Sequence, residues 1–204
     1  MELPQHWPLP DAAALLDELL AAYADPSRHY HDTRHLTEVI ARIDELQSAG
    51  ALFDPVAVVL AAFFHDAVYD GERDAEERSA AWAEDALPGH VDDDSVAEVA
   101  RLVRLTETHA PADGDANGCV LSDADLAILA AGRERYDEYA AAVRREYAHL
   151  DDRDFRAGRA QVLAGLLEKP TLFHTEHAQQ SWEAPARANM ERELSSLTTV
   201  GATP

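Results

Sequence analysis

Nine apolar residues in a row, Val56 to Phe64, sit between Asp54-Pro55 and His65-Asp66. A helix of that composition has no polar face to turn toward water, so other parts of the chain must wrap it. Asp54 suits the cap and Pro55 the first helical position, which sets where the helix starts. The other end is less easily explained. An anionic Asp66 faces the negative pole of the helix, at a cost of about 0.3–1 kcal/mol. Burying it unpaired costs more. A bound cation answers both objections, because it pairs with the carboxylate and accepts the imidazole nitrogen of His65. The dipeptide reads as half of a metal site.

The remaining pattern is helical. Behind Asp11, the residues Ala12 to Ala24 place Leu15, Leu16, Leu19, Leu20 and Tyr23 on one side. From Asp32 to Leu46, the residues Leu36, Val39, Ile40, Ile43 and Leu46 recur at helical intervals. Further helices are expected over Asp74–Leu87, Asp92–Glu107 and Ser122–Ala131, the last closed by Gly132. Three more are expected over Glu134–Leu150, Asp152–Leu167 and Pro185–Leu197. No stretch alternates with the period of two that marks a half-buried strand, so the expected fold class is all-α. With 47% hydrophobic residues, 204 residues can build one substantial core. The longest loop-like interruption is Pro111 to Gly118. The expectation is a single domain over 1–204, with its helical core at about 11–197 and a short flexible C-terminal tail.

The formal net charge is -22, from 39 acids against 17 bases. Such a field repels nucleic acid unless a local basic run overcomes it, and none is present. One cysteine, Cys119, excludes an internal disulfide. The start, Met1-Glu2-Leu3-Pro4, lacks a basic region followed by an apolar stretch, and no run is long enough to span a bilayer. A cytoplasmic protein without a membrane partner is expected; a homo-oligomer is compatible with the apolar helix faces.

Ten histidines are present, and three crowd into Arg28-His29-Tyr30-His31-Asp32-Thr33-Arg34-His35. His31 and His35, four apart, share a helix face. Later, Ser122-Asp123-Ala124-Asp125 allows two readings. It fits a capping box with Ser122 as cap, and it also offers Asp123 as a ligand. The second reading draws its weight from the order His35, His65-Asp66, Asp123.

That order resembles the H…HD…D signature of the HD superfamily of metal-dependent phosphohydrolases. The neighbouring words resemble one bacterial subgroup of predicted HD phosphohydrolases. They are Arg28-His29-Tyr30-His31 through His35, Phe63-Phe64-His65-Asp66-Ala67-Val68-Tyr69, Glu76-Glu77-Arg78-Ser79-Ala80, Thr106-Glu107-Thr108-His109 and Leu121-Ser122-Asp123-Ala124-Asp125-Leu126. Val143-Arg144-Arg145-Glu146-Tyr147 and Glu183-Ala184-Pro185-Ala186-Arg187-Ala188-Asn189-Met190 extend the likeness over nearly the whole chain. One departure is Ala75-Glu76, where the subgroup tends to carry Asn-Glu. The resemblance implies an HD-domain-like helical fold, with a metal held by His35, His65, Asp66 and Asp123.

Two imidazoles and two carboxylates suit Mn, Fe, Ni, Co, Zn or Mg. Such an ion lowers the pKa of bound water and draws charge from a phosphoryl oxygen, so phosphate-ester or phosphoanhydride hydrolysis is the matching chemistry. The expected substrate is a small phosphorylated metabolite, with nucleotides the leading class. Arg28 and His31 are candidate phosphate contacts, since a guanidinium binds phosphate through two parallel hydrogen bonds. His109 is a third candidate at the substrate, or a ligand to a second ion. Asp66, Glu76 and Glu77 are the candidate catalytic acids, the two glutamates as general base or as partners of bound water. Three alternatives stand beside the hydrolase. They are a di-iron oxygenase on an HD-like scaffold, a metal-containing nucleotide-binding regulatory module without turnover, and a helical interaction protein with a solvated acidic face.

Overall fold

A computed structural model describes residues 2–199. Among them, helices make up the regular structure and no strand is present; one isolated bridge joins Pro88 and Val91. The fold is therefore an all-α multi-helix one, as expected. Among the described residues, no helix is long and apolar enough to cross a membrane. The chain divides into two compact units, Met1–Asp125 and Leu126–Pro204.

In the first unit the helices are α1 (Ala13–Tyr23), α2 (Thr33–Ser48), α3 (Pro55–Phe64), α4 (Ala75–Ala86), α5 (Asp93–Leu105) and α6 (Ala116–Leu126), the last reaching one residue past it. A short 3-10 turn, Leu3–His6, precedes α1. α3 is the hub, packed against α2, α4 and α5. From Ala57 to Phe64 every side chain except Val59 is buried. Leu36, Val39, Ile40, Ile43 and Leu46 are the buried face of α2, in the register read from the sequence, and α2 packs on α3. Burying each of these large side chains contributes about 1.5–3 kcal/mol.

The caps follow the chemistry. Asp54 accepts from the amides of Val56 and Ala57, with Pro55 at the first helical position. Asp32 accepts from the amides of Arg34 and His35 at 2.8 and 3.2 Å, which fixes the start of α2 beside the first ligand histidine. Asp92 caps α5, and Asp151 the helix that starts at Asp152, in the same way. Asp11 does not cap α1, which starts at Ala13 after Ala12. Asp74 stands before α4 in a left-handed conformation (φ 58°) and makes no side-chain cap.

The larger correction concerns 111–131. α6 begins at Ala116, so part of the expected loop is helical. Ser122 and Asp123 therefore lie inside a helix, and Ser122 does not cap it. The expected helix Ser122–Ala131 is the end of α6 followed by a 3-10 turn, Ala127–Ala130.

In the second unit, α7 (Arg133–Glu146), α8 (Asp152–Glu168), α9 (Glu176–Ser181) and α10 (Glu183–Thr199) follow the 3-10 turn. α10 packs on α8, α9 and that turn. Asn189 donates to the carbonyls of Leu129 and Ala131, both at 2.9 Å, tying α10 to the turn. Arg159 meets both carboxylate oxygens of Glu193 at 2.8 and 3.0 Å, while Tyr136 donates to Glu193 at 2.6 Å. Arg144 donates to the carbonyls of Tyr147 and Leu150, closing the end of α7. α10 begins two residues before the expected Pro185, and α9 was not expected. The tail expected beyond about 197 lies, from Val200 onward, outside the described residues.

Candidate metal centre

Three ligand atoms converge at the end of α3. His35 Nε2 lies 3.0 Å from His65 Nε2 and 3.3 Å from Asp66 Oδ2, and His65 Nε2 lies 3.0 Å from Asp66 Oδ2. Adjacent donors about 2.1 Å from an octahedral ion stand about 3.0 Å apart, so this triangle has the dimensions of one octahedral face. His35 and His65 are buried and Asp66 nearly so. The cluster can chelate a divalent cation, and its N/N/O donor set leaves the choice among Mn, Fe, Ni, Co, Zn and Mg open.

The elements explain the convergence. His35 sits in the first turn of α2, whose start is fixed by Asp32. His65 occupies the C-cap position of α3, and Asp66 is the residue beyond. The Nδ1–H of His65 donates to the Ala62 carbonyl at 2.7 Å. That bond assigns a proton to Nδ1, so it is Nε2 that faces the cluster and would offer its lone pair to a metal on losing its own proton, the orientation a metal needs. The Tyr23 hydroxyl accepts from the Asp66 amide at 3.1 Å and lies 3.4 Å from both the Ala62 carbonyl and His65 Nδ1. Burial pushes the Tyr23 hydroxyl pKa up, so it stays protonated.

A second carboxylate, that of Asp125, approaches from α6, two residues beyond the expected Asp123. Asp125 Oδ1 lies 3.2 Å from His35 Nε2 and 3.7 Å from His65 Nε2. Its other oxygen lies 3.6 Å from His109 Nε2. Asp123 is fully buried, and after burial itself its charge is the largest influence raising the Cys119 thiol, one turn earlier, to about 11. The compact ligand triangle among the described residues includes neither Asp123 nor Asp125.

The electrostatics are those of a cation site. Burial disfavours a charged His35, yet hydrogen bonds to Asp125 and Asp66 outweigh it and raise the pKa to about 9. Burial acts the same way on His65, and the Asp66 charge likewise reverses it. Burial works against ionised Asp66 and Asp125, but the charge of His65 beside each holds both carboxyls low. Protons on the imidazoles thus occupy the electrostatic role of a divalent ion.

The other expected site residues divide. His31 stacks on Tyr69 (ring centres 4.1 Å apart) and its charge helps depress Asp66, which puts it beside the centre. His109, in a left-handed conformation (φ 47°), reaches Asp125 and lies 3.3 Å from the Ser122 hydroxyl. Arg28 is buried, with one terminal nitrogen on the carbonyls of His31 and Asp66 (3.0 and 2.6 Å) and the other on Ala67 (2.9 Å). Glu77 is exposed and engaged through both oxygens by Arg104, a contact that lowers its pKa. Glu76 is half-buried in the first turn of α4.

No family model, no curated protein and no solved structure matches this chain. Residues and geometry therefore carry the assignment: an all-α protein with a His35/His65/Asp66 cluster able to chelate a divalent ion.

Proposed function

We propose that the protein is an HD-type metal-dependent phosphohydrolase acting on a small phosphorylated metabolite, with nucleotides the leading class. The observation that carries the reading is the His35–His65–Asp66 triangle, with Asp125 closing in on both imidazoles from α6. In this reading both units belong to one HD-like domain over 1–204. A divalent ion bound there would supply Lewis acidity toward a phosphoryl oxygen and a more acidic water. The chain's own residues hold and exclude. His35, His65 and Asp66 bind the ion, and α6 supplies the further carboxylate, from the expected Asp123 or from Asp125 beside the imidazoles. His31 and His109, flanking the carboxylates, contact the substrate. Of the two glutamates, Glu76 is the general-base candidate, because a guanidinium on both oxygens of Glu77 makes that residue a poor base.

The test is a screen of the purified protein with Mn, Mg, Ni and Co against nucleotides and phosphate esters. Phosphate release that disappears in His65→Ala and Asp66→Ala supports the reading. Tight nucleotide binding without release supports a regulatory module instead. One geometric feature favours a second enzyme class. Two histidines and one carboxylate on a face also suit redox iron, and His109 beside the free side of Asp125 offers a ligand to a second ion. Two irons per chain with an oxygen-dependent spectrum would move the assignment to a di-iron oxygenase.

A further inference from the structure

The peptide that carries the ligand carboxylate is itself held from two sides by side chains outside the ligand set. α3 ends at Phe64, and the carbonyls after it have no helical partner. Arg28 reaches them from the loop between α1 and α2, donating to the Asp66 carbonyl at 2.6 Å and the Ala67 carbonyl at 2.9 Å. It also donates to the His31 carbonyl at 3.0 Å, so one guanidinium ties the approach to α2 to the end of α3. Tyr23, at the last position of α1, takes the Asp66 amide at 3.1 Å. Both sides of the Asp66 backbone are thereby fixed, amide by Tyr23 and carbonyl by Arg28. The two side chains also meet each other, with the guanidinium carbon 5.2 Å from the Tyr23 ring centre.

This arrangement does not look like a device for stability alone. Arg28 is buried, and its Nε has no acceptor. An unmatched buried donor works against the folded state. What the arrangement achieves is registration. His35 follows His31 by one helical turn, and Asp66 adjoins His65, so Arg28 spans the two segments that bring three ligand atoms to within 3.3 Å of one another.

We infer that Arg28 and Tyr23 are positioning residues that clamp the Asp66 peptide and set the ligand triangle for a divalent ion. The inference rests on the reading that the triangle holds a metal. It goes beyond that reading by assigning metal affinity to two residues that need not touch the ion. Partners of this kind cost about 10- to 100-fold in metal affinity when removed.

The experiment uses the full chain, stripped with chelator and titrated with Mn2+ by calorimetry and with Co2+ by visible absorption. The wild type is compared with Arg28→Met, Arg28→Lys and Tyr23→Phe, each checked for helicity and for metal-free thermal unfolding. Arg28→Met is expected to weaken Mn2+ binding by about 10- to 100-fold and to shift the Co2+ bands. Arg28→Lys should recover part of the loss, and Tyr23→Phe should weaken binding about tenfold. Should Arg28→Met not fold, Tyr23→Phe decides, because it removes one hydroxyl and keeps the ring. Folded variants that bind Mn2+ within twofold of the wild type overturn the clamp and leave the metal centre standing. Unchanged Mn2+ affinity with loss of inorganic phosphate binding also overturns it, in favour of direct phosphate contact by Arg28. A wild type that binds neither ion overturns the clamp and the proposed function together.

Discussion

In the second unit, Arg159 meets Glu193 guanidinium to carboxylate, with the hydroxyls of Tyr136 and Tyr139 filling in at 2.6 and 3.1 Å. In the first, two imidazole nitrogens face each other at 3.0 Å between two carboxylates. Both clusters are largely withdrawn from water. The first-named is complete, since its guanidinium and its carboxylate answer each other's charge. The other is complete only after something positive is added. With neutral imidazoles it carries two negative charges, the complement of a divalent ion. With protonated imidazoles it balances without one. A buried ionic group that closes on itself is a structural brace, whereas one that must import its counter-charge is a binding site.

The largest expected effects separate the two clusters outright. His65→Ala or Asp66→Asn should weaken Mn2+ binding beyond the about 10- to 100-fold that outer partners cost, measured by calorimetry. The same titration on Arg159→Met should match the wild type. Conversely, Arg159→Met strands a buried carboxylate and should cost about 3–5 kcal/mol in urea unfolding, while the double variant Arg159→Met/Glu193→Leu recovers most of it. A large loss of metal affinity in Arg159→Met would break the distinction.

Saturating ion adds a second, smaller contrast. At a hundredfold over its Kd, Mn2+ should raise unfolding free energy by about 2.7 kcal/mol, and chelator should remove the gain. The increment should vanish in Asp66→Asn and persist in Glu193→Gln.

Acidity sharpens the comparison further. Since metal displaces the His35 proton, apparent affinity should climb with pH by about tenfold per unit for one proton and level off near pH 9. The metal-free protein should show the opposite trend. A histidine whose folded pKa is raised contributes its full stabilisation below the unfolded value, about 6.5, and loses it as pH rises toward 9. Titrations at pH 6, 7, 8 and 9 test both signs. The smallest contrast lies within α6: Asp125→Asn should lower Mn2+ affinity by about tenfold, and the same titration on Asp123→Asn decides which of the two carboxylates serves the ion.

The helical frame was legible because its signals are local. Asp54-Pro55 before an apolar run, and Leu36 to Leu46 at helical spacing, need no tertiary information to read. His35, His65 and Asp66 were legible for a related reason: each lies where a helix begins or ends, and helix ends announce themselves. Asp125 was not. α6 is buried on nearly every side, so no amphipathic phase singled out a face, and its start at Ala116 lay within a stretch rich in Gly and Asp. Two aspartates separated by one alanine point about 200° apart on a helix, and only the phase chooses between them. Ser122, three residues before Asp125 and adjacent to His109, carried the one local hint. At Arg28 the signal is ambiguous for a different cause. A guanidinium near a histidine cluster has the same sequence signature whether it serves a phosphate or three carbonyls.

The burial of α3 has a consequence for any attempt to alter which ion is taken. A rod gripped along its length cannot slide or roll without repacking the helices around it, so the ligands at its tip inherit the stiffness of the interior. His109 and Asp125 arrive from elsewhere, one of them through a backbone twist that side chains seldom adopt. Selectivity should therefore be tuned from that side, by substitutions at the rim, while the tip of the rod stays as the unchanging reference.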